Sequence, residues 1–182
     1  HAHQDGAQAL AALAYSLGAP ARSPVRIPLQ LPALPNGPLT ALGVAQVIAA
    51  MTSDNVIFAD ESATASFALL STMARARPHT HLPLTGGSIG QGLPLAVGAA
   101  IAAPDRKVIC PHGDGGAAYT MQALWTMARE KLDIVIVIYA NRSYAILNIE
   151  LGRVGAIGSG PVAMSMLDLH NPEMNWTKIA EG

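Results

Sequence analysis

The sequence of 182 residues has little cysteine, few aromatic residues and little charge. Cys110 is its one cysteine, which excludes an internal disulfide framework and a zinc site built on cysteines. The formal net charge is −1 and like charges form no run, so nothing indicates a nucleic-acid partner. The longest apolar stretches, near 93–103 and 134–140, are shorter than the roughly 20 residues that a membrane-spanning helix needs. Since no signal peptide is visible either, we expect a cytoplasmic protein whose true start precedes His1.

Apolar residues, by contrast, make up 51% of the chain, which is enough for a sizeable core. Prolines are concentrated between residues 19 and 38, where they disfavour both helix and central strand and predict an extended linker. They are Pro20, Pro24, Pro28, Pro32, Pro35 and Pro38. We place a domain boundary near Asn36. Residues 1–36 are then the end of a preceding domain, with a helix over 7–17, and the linker, while residues 37–182 form the main domain.

Strand-like and helix-like patterns alternate after the linker. Strands are predicted at 55–59, 107–111 and 134–140, and helices at 40–51, 63–76, 90–103 and 117–130. The segment IVIVIYA at 134–140 is almost purely apolar, which indicates a strand buried on both faces. This order predicts an α/β domain with a doubly wound parallel sheet and helices on both faces.

Two loops at the ends of predicted strands contain unusual residues. Gly113-Asp114-Gly115-Gly116-Ala117 follows the strand at 107–111, and Asn141-Arg142-Ser143-Tyr144 follows the strand at 134–140. Ligands of such sheets bind at the carboxyl ends of the strands. If the two strands are neighbours, Asp114 and Asn141 meet at that edge although 27 positions separate them in the sequence.

The glycine loop also matches the dinucleotide fingerprint G-x-G-x-x-A, which leaves a nicotinamide-dependent oxidoreductase or a non-catalytic nucleotide-binding module as alternatives. Against NAD, the next strand ends in Asn141 where an acid would hold the ribose. A carboxylate at Asp114 would also repel a diphosphate by about 1 kcal/mol even at the dielectric constant of water. A divalent cation between the carboxylate and the diphosphate turns this repulsion into a net attraction. Mg²⁺ prefers oxygen ligands such as carboxylates and amides.

The pattern Gly113-Asp114-Gly115, followed after 25 residues by Asn141, resembles the signature of enzymes that use thiamine diphosphate (ThDP). The surrounding segment at 86–147 resembles the acetolactate synthase and benzoylformate decarboxylase family, and the resemblance extends over about 39–182. It implies the C-terminal diphosphate-binding domain, present here as a fragment. It also implies that Asp114, Asn141 and the Ser143 carbonyl bind Mg²⁺. Arg142 departs from the family, in which glycine or glutamine often follows the metal-binding asparagine.

The same resemblance assigns further residues to the cofactor. Ile89 would force ThDP into its bent form, and the Gly87 carbonyl would accept from its aminopyrimidine. The full set implied for cofactor binding is Glu61, Ser62, Thr64, Gly87, Ser88, Ile89, Gly113, Asp114, Gly115, Gly116, Ala117, Asn141, Ser143, Tyr144, Ala145, Ile146 and Leu147. From the sequence, Glu61 fits equally well as a charge at a helix start.

The activity implied by the resemblance is ThDP- and Mg²⁺-dependent decarboxylation and carboligation of 2-oxo acids, of acetolactate synthase type. A benzoylformate-type decarboxylase and a 2-hydroxyacyl-CoA lyase are the alternatives within this chemistry. The activating glutamate would come from another domain, so no catalytic residue is assigned and the 182 residues alone are expected to be inactive. The expected partners are the pyrimidine-binding and middle domains of the same enzyme, in a homodimer or homotetramer. FAD in the full-length enzyme is left open.

The histidines permit a different interpretation. His79 and His81 form an H-x-H pair, but no third ligand is evident, and the flanking Pro78 and Pro83 predict a surface loop rather than a metal site. His112, directly before the glycine loop, is expected to form only local hydrogen bonds.

Overall fold

The computed structural model describes residues 5–20, 22, 27–156 and 160–182. Its centre is a four-stranded parallel sheet in the order β2-β1-β3-β4. The strands are β1 (Val56–Asp60), β2 (His79–Pro83), β3 (Val108–Gly113) and β4 (Ile134–Tyr139). Helices precede, connect and follow the strands, so the predicted fold class is confirmed. Strands β3 and β4 are neighbours, with Gly113 opposite Tyr139.

At least one helix lies between each pair of consecutive strands. The helices of the described residues are α1 (Gly6–Ser16), α2 (Ala41–Met51), α3 (Ser66–Met73), α4 (Gly92–Ala102), α5 (Asp114–Ala117), α6 (Ala123–Arg129), α7 (Ala145–Arg153), α8 (Pro161–Ser165) and α9 (Trp176–Glu181). A single 3-10 turn at Ala63–Ala65 precedes α3. Helix α2 begins as predicted, because the Thr40 side chain accepts a hydrogen bond from the Gly43 N–H and caps the helix.

The sheet carries a hydrophobic core on each face because alternate residues of β1 point in opposite directions. Ile57 and Ala59 pack with residues of α4, β3 and α6, whereas Val56 and Phe58 pack with residues of α2 and α3. Every residue of β1 is buried. Strand β1 is therefore the centre of the fold, and its carboxyl end lies between those of β2 and β3.

Two secondary-structure predictions were wrong. The helix predicted over 117–130 is two helices, α5 and α6, separated by a turn in which the Thr120 hydroxyl donates to the Gly90 carbonyl at 2.7 Å. The loop predicted around His79 and His81 is the edge strand β2, paired with β1 from Val56 to Asp60. Proline is tolerated at Pro83 because it ends an edge strand.

The amino-terminal segment is described only in part. Residues 21 and 23–26 of the predicted linker lie outside the described residues, and residues 27–36 form neither helix nor strand. Within that stretch, the Gln30 N–H donates to the Arg75 carbonyl at 2.8 Å, which ties the linker to the end of α3. No residue of α1 is buried.

The remaining composition-based predictions concern Cys110 and membranes. Cys110 is fully buried in β3, and burial raises the pKa of its thiol to about 12, with a further contribution from the charges of Glu61 and Asp60. It is a core residue rather than a reactive thiol. In the ranges that the structure describes, no helix has the length and apolar character needed to cross a membrane.

Candidate functional site

Three loops converge at the carboxyl ends of the strands. The first follows β1 and includes the 3-10 turn, which contacts α7. The second is the glycine loop between β3 and α5. The third is the loop between β4 and α7, and the Arg142 N–H of that loop donates to Asp114 Oδ2 at 2.7 Å. The predicted meeting of the two sequence-distant loops is therefore confirmed.

Asp114 stands apart from the other buried acids. Three carboxylates are buried in the described part of the chain, those of Asp60, Glu61 and Asp114. Asp60 has His81 at 3.1 Å and Glu61 has His112 at 3.1 Å. Asp114 accepts main-chain N–H groups from Gly115 at 2.9 Å and from Arg142, but no Lys, Arg or His of the described ranges pairs with it. A buried carboxylate without a counter-charge is costly, so this position favours a cation.

The residues around Asn141 provide further oxygen atoms. Asn141 is exposed, and its Oδ1 accepts the Ser143 N–H at 3.0 Å. A carbonyl oxygen has two lone pairs, so this contact leaves one free for a cation. Arg142 adopts φ +57°, in the left-handed region, and its side chain pairs with Glu173. Glycine would adopt this left-handed backbone without strain, so the conformation suits the glycine that the family resemblance places here.

The oxygen atoms of this site differ from those of a conventional metal cluster. Within the described ranges, no group of three or more His, Cys, Asp or Glu side chains is arranged to hold a metal ion. The set implied by the family resemblance is one carboxylate, one amide and one main-chain carbonyl, from Asp114, Asn141 and Ser143. Such a set suits Mg²⁺, which usually keeps several waters and takes few protein carboxylates. The residues present fit a magnesium-bound diphosphate.

Glu61 is a buried residue that bonds to the start of α4 and to a residue just before it. Its Oε1 accepts the Gly90 N–H at 2.5 Å and its Oε2 accepts the Gly92 N–H at 2.6 Å. His112 is fully buried; its Nε2 lies 3.1 Å from Glu61 Oε2 without forming a well-aligned hydrogen bond, and its Nδ1 lies 3.0 Å from the Gly113 carbonyl. Burial raises the pKa of Glu61, but His112 and the two N–H groups outweigh it, so the pKa lies below the ordinary 4.5.

The loop between β2 and α4, residues 85–91, forms the outer part of the site. Gly86 and Gly87 adopt φ of +63° and +69°, and a Cβ on either would meet nothing within 4 Å. Glycine is required here by the backbone conformation and not by crowding. Ile89 follows with 46% of its surface exposed.

The glycines of the second loop are confined by neighbouring side chains. A Cβ on Gly115 would lie 2.5 Å from Tyr144 Cε1, and a Cβ on Gly116 would lie 2.7 Å from Glu61 Oε1. Close packing alone therefore requires glycine at both positions, in addition to any approach of a phosphate to their N–H groups. Gly113 ends β3, and Ala117 is fully buried at the end of α5.

The other predicted residues lie along the same edge. Ser62 is buried, and its N–H and hydroxyl both donate to Asp60 Oδ1, at 2.8 and 2.6 Å. Thr64 is half-buried in the 3-10 turn, and Ser88 is exposed in the 85–91 loop. Tyr144 and Ala145 are half-buried at the start of α7, while Ile146 and Leu147 are exposed.

Sequence reasoning missed the contacts that tie these loops together. They are the Glu61 bonds to Gly90 and Gly92, the Thr120 bond to Gly90, and the pairing of Asp60 with His81. One signal was available: Asp60, Glu61 and His112 all stand at the carboxyl ends of strands, the edge where polar side chains are brought together.

Replacement of Ala63 by glycine is expected to stabilise the fold. Ala63 adopts φ +50°, which costs a residue with a Cβ about 1 kcal/mol. The Ala63→Gly variant should therefore gain roughly 0.5–1 kcal/mol in free energy of unfolding, measured by urea denaturation. Ala65 in the same turn is a matched control, because it has φ −78° and is buried. Ala65→Gly should lose stability, and equal losses in both variants would contradict the interpretation.

Replacement of Glu61 by glutamine should make the free energy of unfolding less dependent on pH in the acidic range. The folded-state pKa of Glu61 is lowered, so its carboxylate stabilises the fold above the unfolded pKa near 4.5, and this contribution is lost as the pH falls through the folded-state pKa. We expect Glu61→Gln to cost about 2 kcal/mol at pH 7 and progressively less below pH 4.5. Urea denaturation of both proteins across this range tests it. A deficit that stays constant down to about pH 3 would show that the charge is not responsible.

Comparison with known proteins identifies the family. Residues 62–182 match the family described as "Thiamine pyrophosphate enzyme, C-terminal TPP binding domain". Over 178 residues, the chain is 49% identical to a protein of Mycobacterium tuberculosis (strain ATCC 25618 / H37Rv) named "Putative acetolactate synthase large subunit IlvX", covering 97% of this chain and 34% of that protein. It is 37% identical over 111 residues to benzoylformate decarboxylase of Pseudomonas aeruginosa, covering 61% of this chain and 21% of that enzyme.

A solved structure agrees with these sequences. The thiamine diphosphate-dependent 4-hydroxybenzoylformate decarboxylase of Rhodococcus jostii RHA1 superposes with a TM-score of 0.75 at 31% identity, covering 96% of this chain and 32% of that one. The chain thus spans at most about a third of the length of these three relatives. It belongs to the thiamine pyrophosphate enzyme family, whose C-terminal cofactor-binding domain matches residues 62–182.

Proposed function

We propose that this chain supplies the diphosphate- and Mg²⁺-binding domain of a ThDP-dependent enzyme that decarboxylates 2-oxo acids and joins the product to a second carbonyl compound, as acetolactate synthases do. The observation that carries the proposal is the buried carboxylate of Asp114, which lacks a cationic side-chain partner in the described ranges and contacts the loop of Asn141. A magnesium ion at this position would neutralise Asp114 and the diphosphate together.

Each part of the site has a separate task in this proposal. Asp114, Asn141 and the Ser143 carbonyl would hold the metal ion. Gly87 would bind the aminopyrimidine through its carbonyl, and Ile89 would support the bend of the cofactor. When bound, ThDP supplies the nucleophilic carbon and accepts the electron pair that departing CO₂ leaves behind. The residues of this chain then bind, orient and neutralise, which is the part that the protein contributes to cofactor chemistry.

The domain arrangement follows from the same proposal. Residues 37–182 would form the cofactor domain, and residues 1–36 would join it to a preceding middle domain. The glutamate that activates the cofactor would come from a pyrimidine-binding domain, in a homodimer or homotetramer. The isolated 182 residues should therefore bind ThDP weakly and catalyse nothing. Turnover by the isolated chain would contradict this arrangement.

Calorimetric titration distinguishes the proposal from a nicotinamide-dependent oxidoreductase. We expect the full-length protein to bind ThDP in the presence of Mg²⁺, to bind it much less tightly in EDTA, and not to bind NAD. Binding of NAD without Mg²⁺-dependent ThDP binding would overturn the proposal.

Benzoylformate decarboxylation is the second candidate, favoured by the names of two relatives, from P. aeruginosa and R. jostii. Product analysis separates the two reactions. With pyruvate, an acetolactate-type enzyme releases CO₂ and forms acetolactate. With benzoylformate, a decarboxylase releases CO₂ and benzaldehyde. We expect acetolactate from the full-length protein, and benzaldehyde alone would favour the second candidate.

A further inference from the structure

The 85–91 loop is anchored at one residue, Gly90. The Gly90 N–H donates to Glu61 Oε1 at 2.5 Å, and the Gly90 carbonyl accepts from Thr120 Oγ1 at 2.7 Å. The neighbouring Gly92 N–H donates to the second oxygen of the same carboxylate at 2.6 Å. Gly90 is buried with φ +86°, and a Cβ there would lie 2.8 Å from Tyr119 Cβ. The peptide groups of Gly90 are thus held on both sides by two side chains from different elements.

The outer part of the loop lacks comparable support. Residues 85–89 are exposed, and a Cβ on Gly86 or Gly87 would have no neighbour within 4 Å. The bonds that order it are local: the Ser88 N–H donates to the Thr85 carbonyl at 3.2 Å, the Thr85 N–H to Gln91 Oε1 at 3.2 Å, and the Thr85 hydroxyl to the Pro83 carbonyl at 3.4 Å. The hydrogen bonds that tie this loop to the rest of the site are therefore those at Gly90 and Gly92.

The two side chains that hold Gly90, those of Glu61 and Thr120, also lie next to the segment that contains Asp114. Glu61 Oε1 occupies the space beside Gly116, where a Cβ would approach it to 2.7 Å. His112, paired with Glu61, stands two residues before Asp114, and Thr120 stands in the turn directly after α5. Glu61 and Thr120 thus connect the 85–91 loop to the segment that carries Asp114.

We propose that Glu61 and Thr120 are positioning residues, which fix the 85–91 loop relative to Asp114 so that Gly87 and Ile89 meet a cofactor whose diphosphate is held at Asp114. The inference rests on the proposed function. It assigns Glu61 to the support of the loop, since both of its carboxylate oxygens are engaged by main-chain N–H groups.

The test uses the full-length protein with two variants of graded severity. Glu61→Gln keeps the size of the side chain but presents an amide donor to one of the two N–H groups. Thr120→Val keeps the shape and removes only the hydroxyl. Glu130→Gln, at an exposed position after α6, is the control. Two quantities are measured: deuterium exchange of the amides in residues 85–92, and the dissociation constant of ThDP at saturating Mg²⁺.

We expect Glu61→Gln to accelerate exchange in residues 85–92 on the order of tenfold and to weaken ThDP binding by a similar factor, as for loss of a charge-assisted hydrogen bond. Thr120→Val should produce about a threefold change in both, since it loses a neutral hydrogen bond. Exchange in the strands measures the general loss of stability, which Glu61→Gln is expected to show, whereas faster exchange in residues 85–92 that does not change at low urea concentrations reports local opening and separates positioning from that loss. If Glu61→Gln does not fold, Thr120→Val decides the question alone.

Two results would overturn the inference. Unchanged exchange in residues 85–92 would show that the anchor does not hold the loop. Faster exchange with unaltered ThDP affinity would show that the loop does not position the cofactor. Both results leave the proposed function intact, whereas failure of the unmodified protein to bind ThDP would overturn the proposed function and the positioning role together.

Discussion

Replacing Asp114 with alanine is expected to weaken Mg²⁺-dependent ThDP binding by about a hundredfold or more, the largest effect that we expect of any single substitution. The variant loses the proposed metal ligand and also the acceptor of the Arg142 N–H, which joins the glycine loop to the Asn141 loop. A hundredfold loss corresponds to about 2.7 kcal/mol, within the range for a charge-assisted contact and its partner. Calorimetric titration of ThDP with and without Mg²⁺ measures it.

Asp114→Asn separates charge from structure in this experiment. The asparagine has the same shape, and its one oxygen can still accept the Arg142 N–H, although its NH₂ group then faces the Gly115 N–H. The fold should persist while Mg²⁺ affinity falls. Asp105→Ala, at an exposed position, is the control for loss of a carboxylate elsewhere. ThDP binding by Asp114→Asn at the affinity of the unmodified protein would show that the charge is not needed and that the metal lies elsewhere.

Replacing Gly92 with alanine is expected to destabilise the fold by about 2–3 kcal/mol, as for overpacking of a closed interior. A Cβ at Gly92 would lie 2.7 Å from His112 Cδ2 and 2.9 Å from Glu61 Cβ. Neither neighbour is free to retreat, because His112 is fully buried and Glu61 is bonded to Gly90. Urea denaturation monitored by circular dichroism gives the free energy of unfolding.

Gly98 offers a matched control on the same helix. It lies within α4, and a Cβ there would meet nothing within 4 Å. Gly98→Ala should raise the free energy of unfolding by about 0.5–1 kcal/mol, because alanine favours helix and restricts the unfolded chain. Similar destabilisation by both variants would mean that the packing around Glu61 and His112 does not determine the response at Gly92.

The sequence predicted the sheet because its periodicities are strong. The strand near Val56–Ala59 is apolar without interruption, and that pattern reflects burial on both faces, as observed for β1. The run at 134–140 is equally apolar, but the prediction that it is buried on both faces was wrong, because β4 is an edge strand whose residues are half-buried or exposed. The strand at His79–Pro83 was missed because its polar and proline-flanked sequence resembles a loop. It forms by pairing with β1 along its whole length, a tertiary contact that no local pattern reports.

The site was predictable to the extent that it depends on strand order. Asp114 and Asn141 follow strands that proved to be neighbours, so their loops meet. The anchor at Gly90 was not predictable in the same way. Glu61, Gly90 and Thr120 lie in three different loops, and only the tertiary fold brings them together. The break between α5 and α6 has the same origin, since the Thr120 hydroxyl bonds to a loop 30 residues away in sequence.

The most direct test of the central claim is a crystal structure of the protein with ThDP and Mn²⁺ in place of Mg²⁺, with the metal located by its anomalous scattering. We expect one Mn²⁺ ion at about 2.0–2.3 Å from oxygen atoms of Asp114 and Asn141 and from the Ser143 carbonyl, in contact with the diphosphate. A metal ion or a diphosphate bound away from these three residues would contradict the account.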